Sequence, residues 1–172
     1  MPEIRLLDES IAQKIAAGEV VERPASVVKE LLENSLDAGS TFVTVEIKEG
    51  GVEHIRVTDN GCGIPAPEVE LAFLRHATSK IHTLEDLYNI SQMGFRGEAL
   101  YSIAAVSRLE LTTKPAAQPA SVRLTIHGGK RMSLSEFGCP DGTSIIAADL
   151  FYNTPARLKF LHKPAVEAAY VS

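Results

Sequence analysis

Hydrophobic and polar positions change period several times along this chain. Leu7, Ile11 and Ile15 recur every four residues, with Asp8 as a possible cap, which predicts a short amphipathic helix closed near Gly18. Pro24 and Ser26 open a second helix that runs to Ala38 and stops at Gly39. Val28, Leu31, Leu32 and Leu36 form its apolar side. Glu30, Asn34 and Asp37 fall within about 60° of one another on the opposite side.

The period then shortens to two. Val43, Val45 and Ile47 alternate with Thr44, Glu46 and Lys48; Ile55 and Val57 alternate with His54, Arg56 and Thr58. With Glu49-Gly50-Gly51 between them, the two runs predict an antiparallel hairpin. From Ile64 to Ile90 the pattern is helical but broken. Pro65 and Pro67 precede a short helix over Val69–Arg75, Arg75–Lys80 is a polar loop, and Leu84, Leu87 and Tyr88 mark another helix. A helix follows Gly97 through Leu100, Ile103 and Ala104. The rest is mostly strand: Leu109 and Leu111, then Val122 to Ile126, then Met132 and Leu134 after the His127–Lys130 turn, then Ser144 to Ala148. Lys114–Pro119 is a loop. Pro164 starts a last helix that meets no stop signal before Ser172, which suggests a piece cut from something longer.

Length and composition fit one globular domain over 1–172 with an ordinary core: 172 residues, 45% hydrophobic, 23% charged. No apolar run approaches the roughly 20 residues a membrane helix needs, and no signal-peptide core is present, so the expected compartment is the cytoplasm and no membrane partner is expected. Cys62 and Cys139 have no CxxC spacing and the five histidines form no ligand pair. Neither a disulfide framework nor a zinc site is expected. A net charge of −5 does not suggest sequence-wide attraction to nucleic acid. Arg157, Lys159, His162 and Lys163 form one local basic group, which composition alone reads as a solvated helix end.

Four short stretches carry candidate chemistry. On the second helix, the polar side either faces water or lines a pocket. In a pocket, Asn34 would offer Mg²⁺ a neutral oxygen ligand, with phosphates and water completing the shell. Glu30, one turn away, would accept a proton from an attacking water. In the hairpin, Ile55, Val57 and Asp59 share one side, so Asp59 is aimed at the core, which is costly unless something donates to it. The exocyclic amine of adenine is such a donor; a structural Asx turn is the other reading. Gly61 and Gly63, without Cβ atoms, would let a flat base approach the backbone. Gly94-Phe95-Arg96-Gly97, entering a helix, resembles neither a Walker loop nor a GxGxxG fingerprint. Its amides and Arg96 suit an anion, and its glycines suit a lid. Thr143, after Gly142, either holds a water or the Asp59 carboxylate or is an ordinary strand threonine.

The longer runs Gln13–Glu30, Arg75–Lys80, Gly94–Leu100 and Phe151–Arg157 resemble the N-terminal ATPase region of the MutL family of DNA mismatch repair proteins, over essentially the whole chain. The stretches Glu30–Gly39, Asp59–Gly63 and Gly94–Glu98 alone are similar only to the wider GHKL superfamily of gyrase B, Hsp90 chaperones and histidine kinases. The resemblance implies a Bergerat ATP-binding fold: an α/β two-layer sandwich of helices on a mixed, mostly antiparallel sheet. It implies a Mg²⁺-dependent ATPase with Glu30 as general base, Asn34 as the metal ligand, and Asp59 as adenine reader supported by Thr143 and Gly63. Thr78, Ser79, Lys80 and Gly94, Phe95, Arg96 and Gly97 would be phosphate-side and lid residues, with Leu100 nearby. The helix near Gln13 and Ile15 is similar to an arm exchanged in a nucleotide-dependent dimer.

The implied partners are ATP, DNA through the full-length protein, mismatch-recognition and downstream repair proteins, and a second copy or a paralogue. The implied setting is cytoplasmic and nucleoid-associated in a bacterium, or nuclear in a eukaryote. The family continues into a second domain whose lysine reaches the terminal phosphate and into a C-terminal dimerisation domain. This fragment is therefore expected to bind nucleotide with impaired hydrolysis. Two other readings stand beside it: a nucleotide-gated interaction module without catalysis, and a gyrase B or Hsp90 relative. The Phe151–Arg157 run argues against the last.

Overall fold

The computed structural model describes Ile4, residues 21–73 and residues 99–172. Its helices are α1 (Pro24–Asp37), α2 (Ala99–Ala105), α3 (Pro155–Lys159) and α4 (Pro164–Val171). Its strands are β1 (Val43–Lys48), β2 (His54–Asp59), β3 (Arg108–Lys114), β4 (Ser121–His127), β5 (Lys130–Phe137) and β6 (Gly142–Ala148). The strands form one sheet in the order β1-β2-β6-β3-β4-β5, and each ladder is antiparallel.

Register explains where the core lies. Directly opposed residues in adjacent strands share a face, so the pairings trace rows across the sheet. One row runs Ile47–Ile55–Ala147–Leu109–Ile126, and the next runs Val45–Val57–Ile145–Leu111–Leu124. From β2 to β4 every residue of these two rows is buried. Val27, Val28 and Leu31 of α1 and Ile103, Ala104 and Ala105 of α2 join the same core, so helices cover one sheet face and the molecule is the expected two-layer α/β sandwich. Each fully buried Leu or Ile contributes ~1.5–3 kcal/mol relative to exposure. The other face is polar: Thr58 and Arg56 bond Ser144, and Glu110 pairs with Arg123.

α1 begins as its sequence requires, with extended Arg23 followed by Pro24 at the first helical position. It ends where Gly39 takes φ +76° and its N–H bonds the Leu36 carbonyl. Its buried stripe runs Pro24, Val28, Leu31, Ser35, with Val27 beside it. Leu36 does not belong to that stripe: it lies about 120° round from its centre and is 59% exposed. The apolar side expected from Val28, Leu31, Leu32 and Leu36 is thus rotated, and Ser35 takes the place given to Leu36.

A second expectation also fails. Val69–Phe73, the described part of the predicted Val69–Arg75 helix, is no α-helix; short 3-10 turns occupy Ala66–Glu68 and Leu71–Phe73. The Glu68, Val69 and Phe73 amides each bond a carbonyl three residues back, which still buries Val69 and Phe73. The predicted helices near Leu7–Gly18 and Leu84–Tyr88, and the Arg75–Lys80 loop, lie outside the described residues.

α4 packs on the Glu49–Gly51 turn. Its buried Glu167 accepts the His162 N–H at 3.3 Å and faces Arg23 at 3.7 Å, which ties α4 to the entry of α1. No helix among the described residues is long and apolar enough to cross a membrane.

Candidate functional site

A third row continues the core-facing side of the sheet: Val43–Asp59–Thr143–Thr113–Val122. Where the two preceding rows are apolar, this one carries a carboxylate and two hydroxyls at adjacent positions. The strand alternation that buries Ile55, Val57, Leu109, Leu111, Ile145 and Ala147 delivers these polar groups to the same interlayer space.

Asp59 is half-buried and held at both oxygens. Its Oδ1 accepts the Gly61 N–H at 2.9 Å, and its Oδ2 accepts the Ser35 hydroxyl at 2.7 Å. The first contact is the Asx turn that the Asp-Asn-Gly run suggested. The second crosses from sheet to helix and turns the acid toward α1. Each oxygen keeps a further lone pair, so Asp59 remains able to accept from a donor placed between the layers. Asn60 faces the other way and braces the Thr41–Phe42 loop through both backbone amides and the Thr41 hydroxyl.

The hydroxyl that reaches Asp59 is therefore Ser35's, and not Thr143's. Thr143 bonds Thr113 at 2.8 Å. Thr113 was legible by the strand-parity argument that singled out Asp59, since it follows Leu109 and Leu111 at strand spacing; Ser35, on a helix whose apolar stripe could be centred in more than one place, was not.

The loops at this end of the sheet are interlocked. A Cβ on Gly142, at φ +118°, would lie 2.1 Å from the Asp59 carbonyl oxygen. One on Gly63, at φ +72°, would lie 2.8 Å from the backbone of Lys114. Gly63 is thus required by packing of the protein's own chain on that side, a different reason from the close approach of a flat base. Lys114 in turn pairs with Asp141 at 2.7 Å on the rim.

Glu30 and Asn34 are half-buried one turn apart on α1, next to Ser35 in the chain, and Leu100 is half-buried against the core at the start of α2. Asp37, the third member of the predicted polar side, is exposed. Glu30, Asn34, Asp59, Gly63, Leu100 and Thr143 are the predicted site residues that the structure describes. Thr78, Ser79, Lys80, Gly94, Phe95, Arg96 and Gly97 lie outside the described residues. No group of three or more His, Cys, Asp and Glu able to hold a metal occurs among the described residues.

The sequence pattern of a family described as histidine kinase-, DNA gyrase B- and HSP90-like ATPase matches residues 22–134. The chain belongs to that family. The matched span contains Glu30, Asn34, Asp59, Gly63 and Leu100; Thr143 lies beyond it. Over all 172 residues the chain is 58% identical to the DNA mismatch repair protein MutL of Agathobacter rectalis, of which it covers 26%, and 58% identical to that of Caldanaerobacter subterraneus, of which it covers 29%. It therefore spans between a quarter and a third of the length of these relatives. Among solved structures it is similar to the Aquifex aeolicus MutL ATPase domain complexed with ADP. That match has a TM-score of 0.72 and 36% identity, over 88% of this chain and 52% of the other. The resemblance seen in the four sequence runs is thus borne out across the whole chain, and the fold with it.

Proposed function

We propose that the chain is the ATP-binding and slowly ATP-hydrolysing module of a MutL-type DNA mismatch repair protein, with the third row of the sheet reading the adenine. The observation that carries this reading is Asp59: an acid directed to the interlayer face, oriented from two sides, with acceptor capacity left over. The adenine amine supplies the donor such an acid needs. Guanine presents a carbonyl at the equivalent position and would face the carboxylate with like polarity. The fold and the ADP complex of the Aquifex aeolicus relative support the same assignment.

Asn34 and Glu30 would serve the phosphate end. Asn34 offers one hard, neutral oxygen on α1, and the described residues hold no acidic metal cluster. That donor set fits Mg²⁺, which keeps phosphate and water ligands and takes only one or two from protein. Bound with the nucleotide, the ion would offset charge on the phosphates. Glu30 would accept the proton of the attacking water. Thr78, Ser79, Lys80 and the Gly94–Gly97 segment would contact the phosphates and close over them. In a protein of the relatives' length, nucleotide binding would drive pairing of two such modules, as homodimer or paralogue heterodimer, into a clamp on DNA that signals to repair partners.

Asp59→Asn tests the assignment. It keeps size and shape but removes the charge and turns one acceptor into a donor. ATP affinity should fall by ~1–3 kcal/mol, about fivefold to 150-fold. Calorimetry on the folded variant giving wild-type affinity would remove Asp59 from the site.

A further inference from the structure

Two helices and a turn meet at one buried acid. α1 opens at Pro24, and a Cβ on Gly51 would lie 2.6 Å from that proline's Cβ. α4 opens at Pro164, and a Cβ on Gly50, at φ +66°, would lie 2.6 Å from its carbonyl oxygen. The turn between β1 and β2 is therefore wedged against both helix entries. Glu167, in the first turn of α4, is 1% exposed. Its Oε2 accepts the His162 N–H. Its Oε1 has no hydrogen-bond partner among the described residues and faces the Arg23 guanidinium at 3.7 Å. A buried carboxylate oxygen without a donor is costly, and the charge of Arg23 is what offsets it here. Arg23 also lies over the Tyr170 ring, 4.4 Å from its centroid, so α4 meets Arg23 at two points one turn apart.

These contacts bear on the site through α1. That helix has neither a side-chain cap nor an acidic residue in its own first turn. Its entry is held instead from α4, through the residue just before Pro24. Its other end is held from the sheet, by the Ser35–Asp59 bond. Val27, Val28 and Leu31 press the middle onto the core, but apolar burial is non-directional. The two polar ties therefore set the direction of the helix. At the helical rise per residue, Arg23 is about 18 Å from Ser35, Glu30 about 7.5 Å and Asn34 about 1.5 Å. With Ser35 as pivot, 1 Å of play at Arg23 becomes about 0.4 Å at Glu30 and about 0.1 Å at Asn34. A catalytic group needs placement within about 0.5 Å. Two ångströms of play at the entry, about 0.8 Å at Glu30, thus lowers rate while the base site and the Asn34 oxygen hardly move.

We propose that Arg23 and Glu167 are a positioning pair for hydrolysis. By holding the entry of α1 they keep Glu30 in line with the attacking water, and they take no part in holding the base. This inference rests on the reading of Glu30 as general base.

The test uses a protein of the relatives' length, with steady-state ATP turnover and ATP affinity measured side by side. Glu167→Gln keeps the size but leaves one oxygen for two donors, so either His162 or Arg23 loses its acceptor. It should lower turnover about tenfold and leave ATP affinity within about twofold. Arg23→Gln should do the same. The double variant should match the slower single variant within about twofold, because the tie it would break is already gone.

A folded Glu167→Gln that turns over ATP at the wild-type rate overturns the inference. So does one whose ATP affinity falls in step with its turnover, the pattern of a merely structural acid. Single effects that multiply to about 100-fold in the double variant would make the two residues independent and overturn the pairing. If Glu167→Gln does not fold, Arg23→Gln decides, since that side chain is one-third exposed and its loss leaves no void in the core. Wild-type turnover there overturns the inference equally. Wild type without turnover, or Glu30→Ala with normal turnover, overturns the general-base reading itself. A slow Glu30→Ala together with an unaffected Glu167→Gln overturns only the positioning pair.

Discussion

Glu30→Ala should lower ATP turnover by about 10²–10⁴-fold, the usual contribution of a positioned general base, and should leave ATP affinity within about fivefold. The split follows from where Glu30 sits. It is half-buried on α1, one turn before Asn34 and away from the buried stripe of Val28, Leu31 and Ser35. Its removal opens no cavity in the core and leaves the Ser35–Asp59 bond in place. Base recognition is therefore kept while the proton acceptor is lost. The measurement belongs in a protein of the relatives' full length, because this chain spans 26–29% of the two relatives named above. Steady-state hydrolysis and ATP affinity are measured side by side. A variant that hydrolyses ATP at the wild-type rate would mean that another group activates the water. A variant that stops binding ATP would make Glu30 a binding residue.

Gly142→Ala should cost about 4 kcal/mol of folding stability. Two causes add. The residue adopts φ +118°, a region that side chains avoid, and the new Cβ would fall 2.1 Å from the Asp59 carbonyl oxygen. That oxygen belongs to backbone in a paired strand, so relief requires β2 and β6 to separate at the level of Asp59 and Thr143. The loss should appear in urea denaturation and, in the fraction that still folds, as weakened ADP binding. A variant within about 1 kcal/mol of wild type would show that the two strands can part there at little cost.

The sequence made the site legible through parity. Two residues of equal parity in a strand share a face, so Ile55 and Val57 tell where Asp59 points. The same rule applied to Leu109 and Leu111 finds Thr113, and applied to Ala147 and Ile145 it supports Thr143. What parity cannot give is the pairing between strands that are distant in the chain. β2 meets β6 and β6 meets β3, and only that order brings Asp59, Thr143 and Thr113 into one row. Hence Thr143 looked like a partner for Asp59, whereas its bond goes to Thr113 on its other neighbour.

Helix α1 illustrates a different limit. Leu31, Leu32 and Leu36 are equally apolar, and the chain alone does not say about which residue the stripe is centred. The structure centres it near Leu31 and Ser35, where the serine hydroxyl meets a carboxylate from the facing sheet. A polar residue could be buried because a half-buried carboxylate accepts its proton, a fact invisible to a one-helix pattern. At Val69–Phe73 the apolar spacing suited a helix, but the Val69 and Phe73 amides bond carbonyls three residues back and the segment closes as separate 3-10 turns. The residues named for the phosphate end between Thr78 and Gly97 rest on the sequence alone.

Titration of the chain with ATP, ADP and GTP, each with and without Mg²⁺, asks whether the acid at the end of β2 selects adenine. ATP and ADP should bind, GTP should bind at least about tenfold more weakly, and Mg²⁺ should strengthen ATP more than it strengthens ADP. Equal affinity for ATP and GTP, or no heat from any of the three, would contradict that selection.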